Sequence, residues 1–347
     1  MSSTDPVPSG GTKWLACLSR LLPGFMLATV IALSASFVSG RYGGPKFLYA
    51  LLIGIAFHFL SDDERCRAGI EFSARQLVRF GVALLGARIV LADVSALGFW
   101  GILGLAGAVV STIGFGRLMA GLLGVSPIFG LLSGGATGIC GISAAMAISS
   151  TMPQNADNER YTLTTAIGVA GLSTVAMVLY PLWVDLVGMS VPEAGLFLGG
   201  AIHDVAQVVG AGSIISPEVA RSASLAKMFR VAMLVPVVLV TALVFRKEVV
   251  ASVAAGGKVA RRPTILPFFL VMFIVLVIVN SLGWVPGAVQ QLASDLSAWS
   301  LVISISALGV KTSFEKIAQL GWRPIVLLIS ETLFVALFMF AVVMLMR

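Results

Sequence analysis

The chain has 347 residues, 58% hydrophobic and 11% charged, with a mean hydropathy of +1.00 and a net charge of +7. Soluble domains carry about 25% charged residues, so a sizeable soluble domain is excluded and an all-α polytopic membrane protein is predicted. In such a protein a basic excess sets topology rather than binding nucleic acid.

A bilayer crossing needs about 20 apolar residues. Eleven such spans are predicted, near 21–39, 45–60, 78–96, 98–123, 126–150, 161–183, 191–214, 225–245, 265–283, 295–312 and 323–346. The first follows Lys13 and Arg20, and Ser34-Ala35-Ser36 follow its apolar core, a signal-peptide-like pattern. Its length and the spans behind it make it a first transmembrane helix. Residues 1–20 are then a cytoplasmic segment and 21–347 a single transporter domain. Residues 65–79 are amphipathic and basic, and are expected to lie along the interface. The longest polar connection, 246–263, carries five Lys/Arg. With the N-terminus inside, the cytoplasmic segments hold fifteen Lys/Arg and the outer ones seven, with Arg88 in a span. That asymmetry places the N-terminus in the cytoplasm. Cys17, Cys66 and Cys140 are far apart, which predicts neither a disulfide framework nor a metal site.

The fifth span holds Ser133-Gly134-Gly135-Ala136-Thr137-Gly138-Ile139-Cys140-Gly141-Ile142-Ser143. Four glycines within residues 134–141 predict a broken helix, since glycine costs about 1 kcal/mol relative to alanine in a helix interior. Broken backbone in lipid is tolerated where it is buried in protein or lines a wet cavity. The reading is a mid-membrane solute site flanked by Ser133, Thr137 and Ser143; the alternative is a small-residue packing seam.

Two distant stretches share landmarks. Leu85-Gly86-Ala87-Arg88 precedes Leu97-Gly98-Phe99, and Leu308-Gly309-Val310-Lys311 precedes Leu320-Gly321-Trp322. Upstream, Pro45-Lys46-Phe47-Leu48 pairs with Pro267-Phe268-Phe269-Leu270. With seven spans between the two Leu-Gly-aromatic loops, these loops face opposite sides. That is an inverted-topology repeat, with halves near 45–123 and 267–346. A second likeness, GLxxGGA at 130–136 and 195–201, does not fit that order. By span counting its two copies run in the same direction, and they are read as glycine-rich packing elements.

His203-Asp204 is an ionisable pair deep in the seventh span, with Gln207 one turn on. Intramembrane ionisable groups are costly and point to function. His203 and Asp204 are expected to carry a coupling proton. Lys311, with Thr312 beside it, is expected to hold an anion, and Arg88 is its repeat partner. Lys227 and Arg230 read as topology or lipid contacts, His58 as interfacial, and Glu331 as a lone acid without an identified partner. No GxSxG, HExxH or phosphate-binding loop is present, so no catalytic residues, enzyme activity or cofactor are expected.

The segments GGATGICGISAAMAISS (134–150), GGAIHDVAQVVGAG (199–212) and ALGVKTSF (307–314) resemble the YeiH-type family of bacterial inner-membrane proteins, which are labelled sulfate exporters. The resemblance covers the chain from about Pro23 onward. It implies the fold of sodium/proton antiporters and bile-acid symporters: an inverted repeat around crossed, broken helices, here near 126–150 and 191–214. It implies export of a small inorganic or organic anion, sulfate- or sulfonate-like, driven by an ion gradient. The expected substrate-binding residues are Ser133, Thr137, Gly138, Cys140, Gly141, Ser143, Gln207, Lys311 and Thr312. Expected partners are that anion, a coupling proton or sodium ion, membrane lipid and a second copy in a homodimer. The alternatives are a cation/proton antiporter with Asp204 as ion site and an intramembrane enzyme.

Overall fold

Lipid offers no partner to backbone N–H and C=O groups, so a chain this apolar must satisfy them within its own helices. The computed structural model describes residues 10–90, 97–254, 268–312 and 321–347, and among these every regular element is helical. Pro267 and Leu320, two of the repeat landmarks, and most of the basic connection after Lys247 lie outside the described residues. Among the described residues six stretches are long and apolar enough to cross a membrane: Ser19–Tyr42, Gly98–Leu122, Ala156–Val187, Pro217–Val244, Gly287–Lys311 and Trp322–Met346. The other predicted spans resolve into shorter helices.

The chain divides into two compact units. The first comprises residues 1–79 and 299–312. In it α1 (Gly10–Tyr42) packs against α2 (Lys46–Ala56) and α3 (Glu64–Phe72). The segment expected along the interface includes α3, which runs through a π turn at Ser73–Leu77 into α4 (Val78–Leu85). Gly24 of α1 and Gly69 of α3 let the two backbones touch, with no room for a Cβ at either. Ala28, Ile31 and Ile70 form a core with Ala307 and Val310 from the end of α15 (Gly287–Lys311). His58 is not merely interfacial, because its Nδ1 lies 2.7 Å from the Val310 carbonyl.

The second unit comprises residues 80–298 and 313–347. Its frame is α5 (Gly98–Leu122), α8 (Ala156–Val187) and α16 (Trp322–Met346). Gly98 and Gly321 have φ of +63° and +86° and open two helices of 25 residues each. Only glycine enters a helix from that conformation without strain, so the Leu-Gly-aromatic motif is a helix-start signal. These two helices are antiparallel. Gly104 of α5 faces Val342, Gly107 faces Phe338, and Phe115 stacks on Phe334 at 4.3 Å. Gly98 and Gly321 therefore lie at opposite ends of the pair.

Between the frame helices the chain forms two helical hairpins. The first is α6 (Pro127–Gly138) and α7 (Ile142–Ser149). Ser126 caps α6, and Pro127 at its first turn needs no N–H partner. Both arms end beside the start of α8: the rings of Phe129 and Tyr161 are 5.2 Å apart, and Ser149 donates to Asn158 at 3.1 Å. The second is α9 (Val191–Ala201) and α10 (Val205–Ile215), followed in the chain by α11 (Pro217–Ala232), α12 (Leu234–Val244), α13 (Arg246–Ala254) and α14 (Phe268–Ser281). Gly195 and Gly199 of α9 meet Ser222 and Ala223 of α11, while Gly212 of α10 meets Ala220, so the arms are again antiparallel. A cavity of about 380 Å³ at this hairpin's mouth touches Leu97, Val191, Glu218 and Met346. One of about 500 Å³ at the first hairpin's mouth touches Ser126, Arg160, Trp322 and Arg323. The hairpins thus enter from opposite ends of α16. The GLxxGGA copies are their first arms and run in opposite directions. Span counting gave the same direction because it took 126–150 as a full crossing.

Candidate functional site

The tips of the two hairpins meet in the middle of the second unit. At the first, α6 runs through Gly138 and only Ile139–Gly141 are unwound, with Gly141 at φ +65° and ψ −127°. The predicted break was longer because glycine density alone suggested it. Gly130 and Gly134 stay helical because they seat α6 on α5: a Cβ on Gly134 would lie 2.6 Å from the Thr112 carbonyl oxygen. Close packing outweighs intrinsic propensity. At the second tip Ile202, His203 and Asp204 are unwound. A Cβ on Gly141 would lie 3.8 Å from the His203 carbonyl oxygen, which places the two tips in contact.

Each first arm ends at the junction, so each leaves carbonyls without helical partners and the negative end of a helix dipole. Two cations of α11, on one face at i and i+3, answer both. Lys227 Nζ donates to the carbonyls of Ile139 at 2.7 Å and Ile202 at 2.8 Å. Arg230 donates to Gly138 at 2.7 Å, Thr137 at 2.8 Å, Gly200 at 2.7 Å and Ile202 at 3.1 Å. Both side chains are fully buried. This corrects their reading as topology or lipid contacts. The reason is positional: their carbonyl partners come from two hairpin tips that are distant in sequence.

The second tip is held from α8 and α16. Asp204 caps α10, its carboxylate accepting from the Ala206 N–H at 2.9 Å. Ser173 Oγ accepts from the Asp204 N–H at 3.1 Å and donates to Gln207 at 2.8 Å, and Gln207 donates to Thr174 at 3.1 Å. His203 is fully buried, with Nε2 2.9 Å from Thr332 Oγ1. Thr332 spends its one hydroxyl proton on the Leu328 carbonyl at 2.7 Å. His203 must then donate through Nε2, which assigns its tautomer from the hydrogen-bond network.

Glu331, the neighbour of Thr332, turns to the first hairpin. It is fully buried, accepting from Ser133 at 2.6 Å and facing Thr137 Oγ1 at 3.3 Å. No ion pair to it is found among the described residues.

Of the residues expected at the site, Ser133, Thr137, Gly138, Cys140, Gly141, His203, Asp204 and Gln207 are gathered at or next to the tips. Ser143 lies on α7 with its side chain exposed. Lys311 and Thr312 belong to the other unit. There Lys311 pairs with Glu71, and Thr312 Oγ1 bonds the Leu308 carbonyl at 2.9 Å. Lys227, Arg230 and the placement of Glu331 escaped the sequence reading. A visible signal was two cations spaced i, i+3 within the 28-residue apolar stretch Pro217–Val244. Among the described residues no group of three His, Cys, Asp or Glu side chains could hold a metal ion.

A family model described as conserved hypothetical protein 698 matches residues 23–328. The UPF0324 membrane protein TauZ of Paracoccus denitrificans is 46% identical over 333 residues, 96% of each chain. A UPF0324 membrane protein of Chlorobaculum tepidum is 44% identical over 318 residues, 91% of this chain and 87% of the relative. One of Rhizobium meliloti is 44% identical over 324 residues, 93% of each. No solved structure matches the chain significantly.

Proposed function

This chain belongs to the family described as conserved hypothetical protein 698, the UPF0324 membrane proteins, and from that premise we propose that it is a secondary active transporter of a small anion across the bacterial inner membrane. The observation that carries this reading is the junction of two hairpins at two buried cations. Unwound hairpin tips at the centre of a helical membrane protein are where transporters bind solute. Lys227 and Arg230 give the junction positive charge, and the starts of α7 and α10 add positive dipole ends there. Asp204 is the one carboxylate in the tip segments, so the balance favours an anion. A cation/proton antiporter built on Asp204 would have to bind its cation against both buried charges.

The geometry also supports an inverted repeat. The hairpins enter from opposite ends, and their cavities open at opposite ends of α16. Each hairpin returns to the side it entered from, so eleven apolar segments make nine crossings with both termini on the predicted sides. Arg160 then joins the cytoplasmic side, and Lys227 and Arg230, being buried, leave the outer count. The Lys/Arg asymmetry rises from fifteen against seven to sixteen against four, which strengthens the cytoplasmic assignment of the N-terminus. Alternating access would open the two mouths in turn around the tips, coupled to a proton or sodium gradient. No ATP-binding motif is present to supply other energy.

The test is flux in proteoliposomes with labelled sulfate, sulfite and small sulfonates as probes. Concentrative uptake that depends on an imposed ion gradient is expected for at least one probe. Gradient-independent, non-concentrative flux would replace the carrier with a channel, and chemical conversion of a probe without flux would replace it with an enzyme.

A further inference from the structure

We propose that Glu331 is the residue that binds and releases the coupling proton, and that its protonation state is read directly by the first hairpin. This deepens the transport reading by naming a proton site within it.

The argument starts from the cost of a buried charge. A carboxylate removed from water and left without a cation is expensive unless hydrogen bonds compensate it. Glu331 has none of its surface exposed, and its two oxygens face the hydroxyls of Ser133 and Thr137, one turn apart on α6. The site is tight, because Glu331 Oε1 and the Gly130 carbonyl both crowd the place where a Cβ on Gly116 would stand.

Hydroxyl partners satisfy both states of such an acid, since each can donate or accept. Ionised, Glu331 accepts from Ser133 at one oxygen and from Thr137 at the other. Protonated, it still accepts from Ser133 and donates its new proton to Thr137 Oγ1. One proton binds and one hydrogen bond reverses, with no co-reactant. The 2.6 Å separation of Ser133 Oγ and Glu331 Oε1 is a hydrogen-bond length.

The reversal occurs next to the moving part. Thr137 is the residue before Gly138, where α6 ends, and its own carbonyl is held by Arg230 at 2.8 Å. The next residue of α16, Thr332, accepts from His203 at the second tip. Adjacent positions of one helix thus grip both hairpins, and a change of charge at Glu331 is felt by both. The charged and titratable groups around it are few. α6 carries none, and α5 carries Arg117 on its exposed side. α9 carries Glu193, bonded to Arg347 at 2.9 Å. α8 carries Asp157, Glu159, Arg160 and Tyr161 at its start, Tyr180 beside Phe197, and Asp185 near its end. Lys227 and Arg230 bond carbonyls of the tips, Arg230 that of Thr137 itself, and His203 is reached through Thr332. Asp204, the sequence candidate for this role, spends its carboxylate on capping α10.

The test is a pH titration of the purified, full-length protein followed by infrared difference spectroscopy, which needs no substrate. A carboxylic-acid C=O band that titrates above the range of ordinary carboxyls, about pH 4, is expected in the wild type, absent from Glu331→Gln and retained in Asp204→Asn. Should Glu331→Gln fail to fold, the Ser133→Ala/Thr137→Val pair decides, because removing both hydroxyls must displace the midpoint of that band by about one pH unit or more. A band that persists in Glu331→Gln, a wild type without a titrating band, or an unmoved midpoint in the hydroxyl pair would overturn the proposal. Flux with the labelled probes is scored separately. A titrating Glu331 without gradient-driven flux would count against the transporter reading and leave the proton site standing.

Discussion

Lys311 pairs with Glu71, and the same relationship recurs between Arg88 and Ser294, where the guanidinium donates to the hydroxyl at 2.8 Å. The residues correspond across the sequence, since 223 positions separate Arg88 from Lys311 and also Glu71 from Ser294. The glycines two residues earlier repeat the pattern. Gly86 seats on the backbone of Phe273 and the Cβ of Leu276; Gly309 seats on the backbone of Leu51 and Gly54. These partners are 222 positions apart. The stretch around Arg88 thus packs on the stretch around Phe273 and Ser294, and the stretch around Lys311 on that around Leu51 and Glu71, once in each compact unit. The landmarks shared in sequence therefore coincide with a reciprocal exchange of contacts. Its cations are engaged in that exchange, which gives Lys311 a structural role independent of substrate.

The Lys311–Glu71 pair should contribute modestly. Its side chains are 30% and 39% exposed, so screening limits its worth to about 1 kcal/mol or less. Burial raises the Glu71 carboxyl, but the hydrogen bond and charge of Lys311, with Arg75 and Arg67, lower it more and leave it below its ordinary value. A depressed carboxyl stabilises the fold fully above its unfolded pKa of about 4.3 and ceases to as pH falls through the folded value. Lys311→Ala should therefore lose stability at neutral pH and converge on the wild type in acid. Thermal unfolding followed against pH checks this; parallel curves for wild type and Lys311→Ala would remove the pair from the account.

Arg230 should be far less replaceable. Arg230→Met leaves the carbonyls of Thr137, Gly138 and Gly200 without their donor in a site closed to water. The expected loss is about 3–5 kcal/mol, the cost of stripping one partner from a buried charged network. Arg230→Lys keeps the charge but not the fork of donors, and should fall between. Unfolding temperatures in detergent rank the three, and a wild-type value for Arg230→Met would show that the tips hold themselves.

Two glycines four residues apart should respond in opposite ways to alanine. A Cβ on Gly134 meets the Thr112 carbonyl oxygen at 2.6 Å, whereas one on Gly138 finds its nearest neighbours at 3.4 Å. Gly134→Ala should destabilise by about 1–3 kcal/mol through overpacking, and Gly138→Ala should be tolerated. Gly138→Leu, with its larger side chain beside the tip, should insert but lose transport. Equal unfolding temperatures for the two alanine variants would contradict the seating of α6 on α5.

How far the sequence discloses this arrangement depends on the range of the interaction. Glycine density around Gly138 and Gly141 discloses an interruption because propensity is local. The Leu-Gly-aromatic motif discloses helix starts for the same reason, through the positive φ of Gly98 and Gly321. The return of the chain at Gly141 is not legible, since a helix–break–helix of about 24 residues has the length and hydropathy of a crossing. The roles of Lys227, Arg230 and Glu331 depend on carbonyls and hydroxyls contributed by other segments. A lone charge in an apolar helix announces that it is paired, without naming its partner.

The hairpin topology yields the most direct test, because span counting and the structure predict different sides for the same residues. Ser126 and Ser150 flank the first hairpin, and Ser190 and Ser216 flank the second. Two full crossings would put the members of each pair on opposite sides of the membrane. Two hairpins put Ser126 and Ser150 together on one side and Ser190 and Ser216 together on the other. Single cysteines at these four positions, in a background with Cys17, Cys66 and Cys140 replaced, can be probed with a membrane-impermeant maleimide in intact cells and in inverted vesicles. The expected outcome is that positions 190 and 216 label from outside and positions 126 and 150 only from the cytoplasmic face. Labelling of 126 and 150 from opposite faces would restore the eleven-crossing topology. It would also dissolve the meeting of two hairpin tips from opposite sides, and with it the geometric case for alternating access around Lys227 and Arg230.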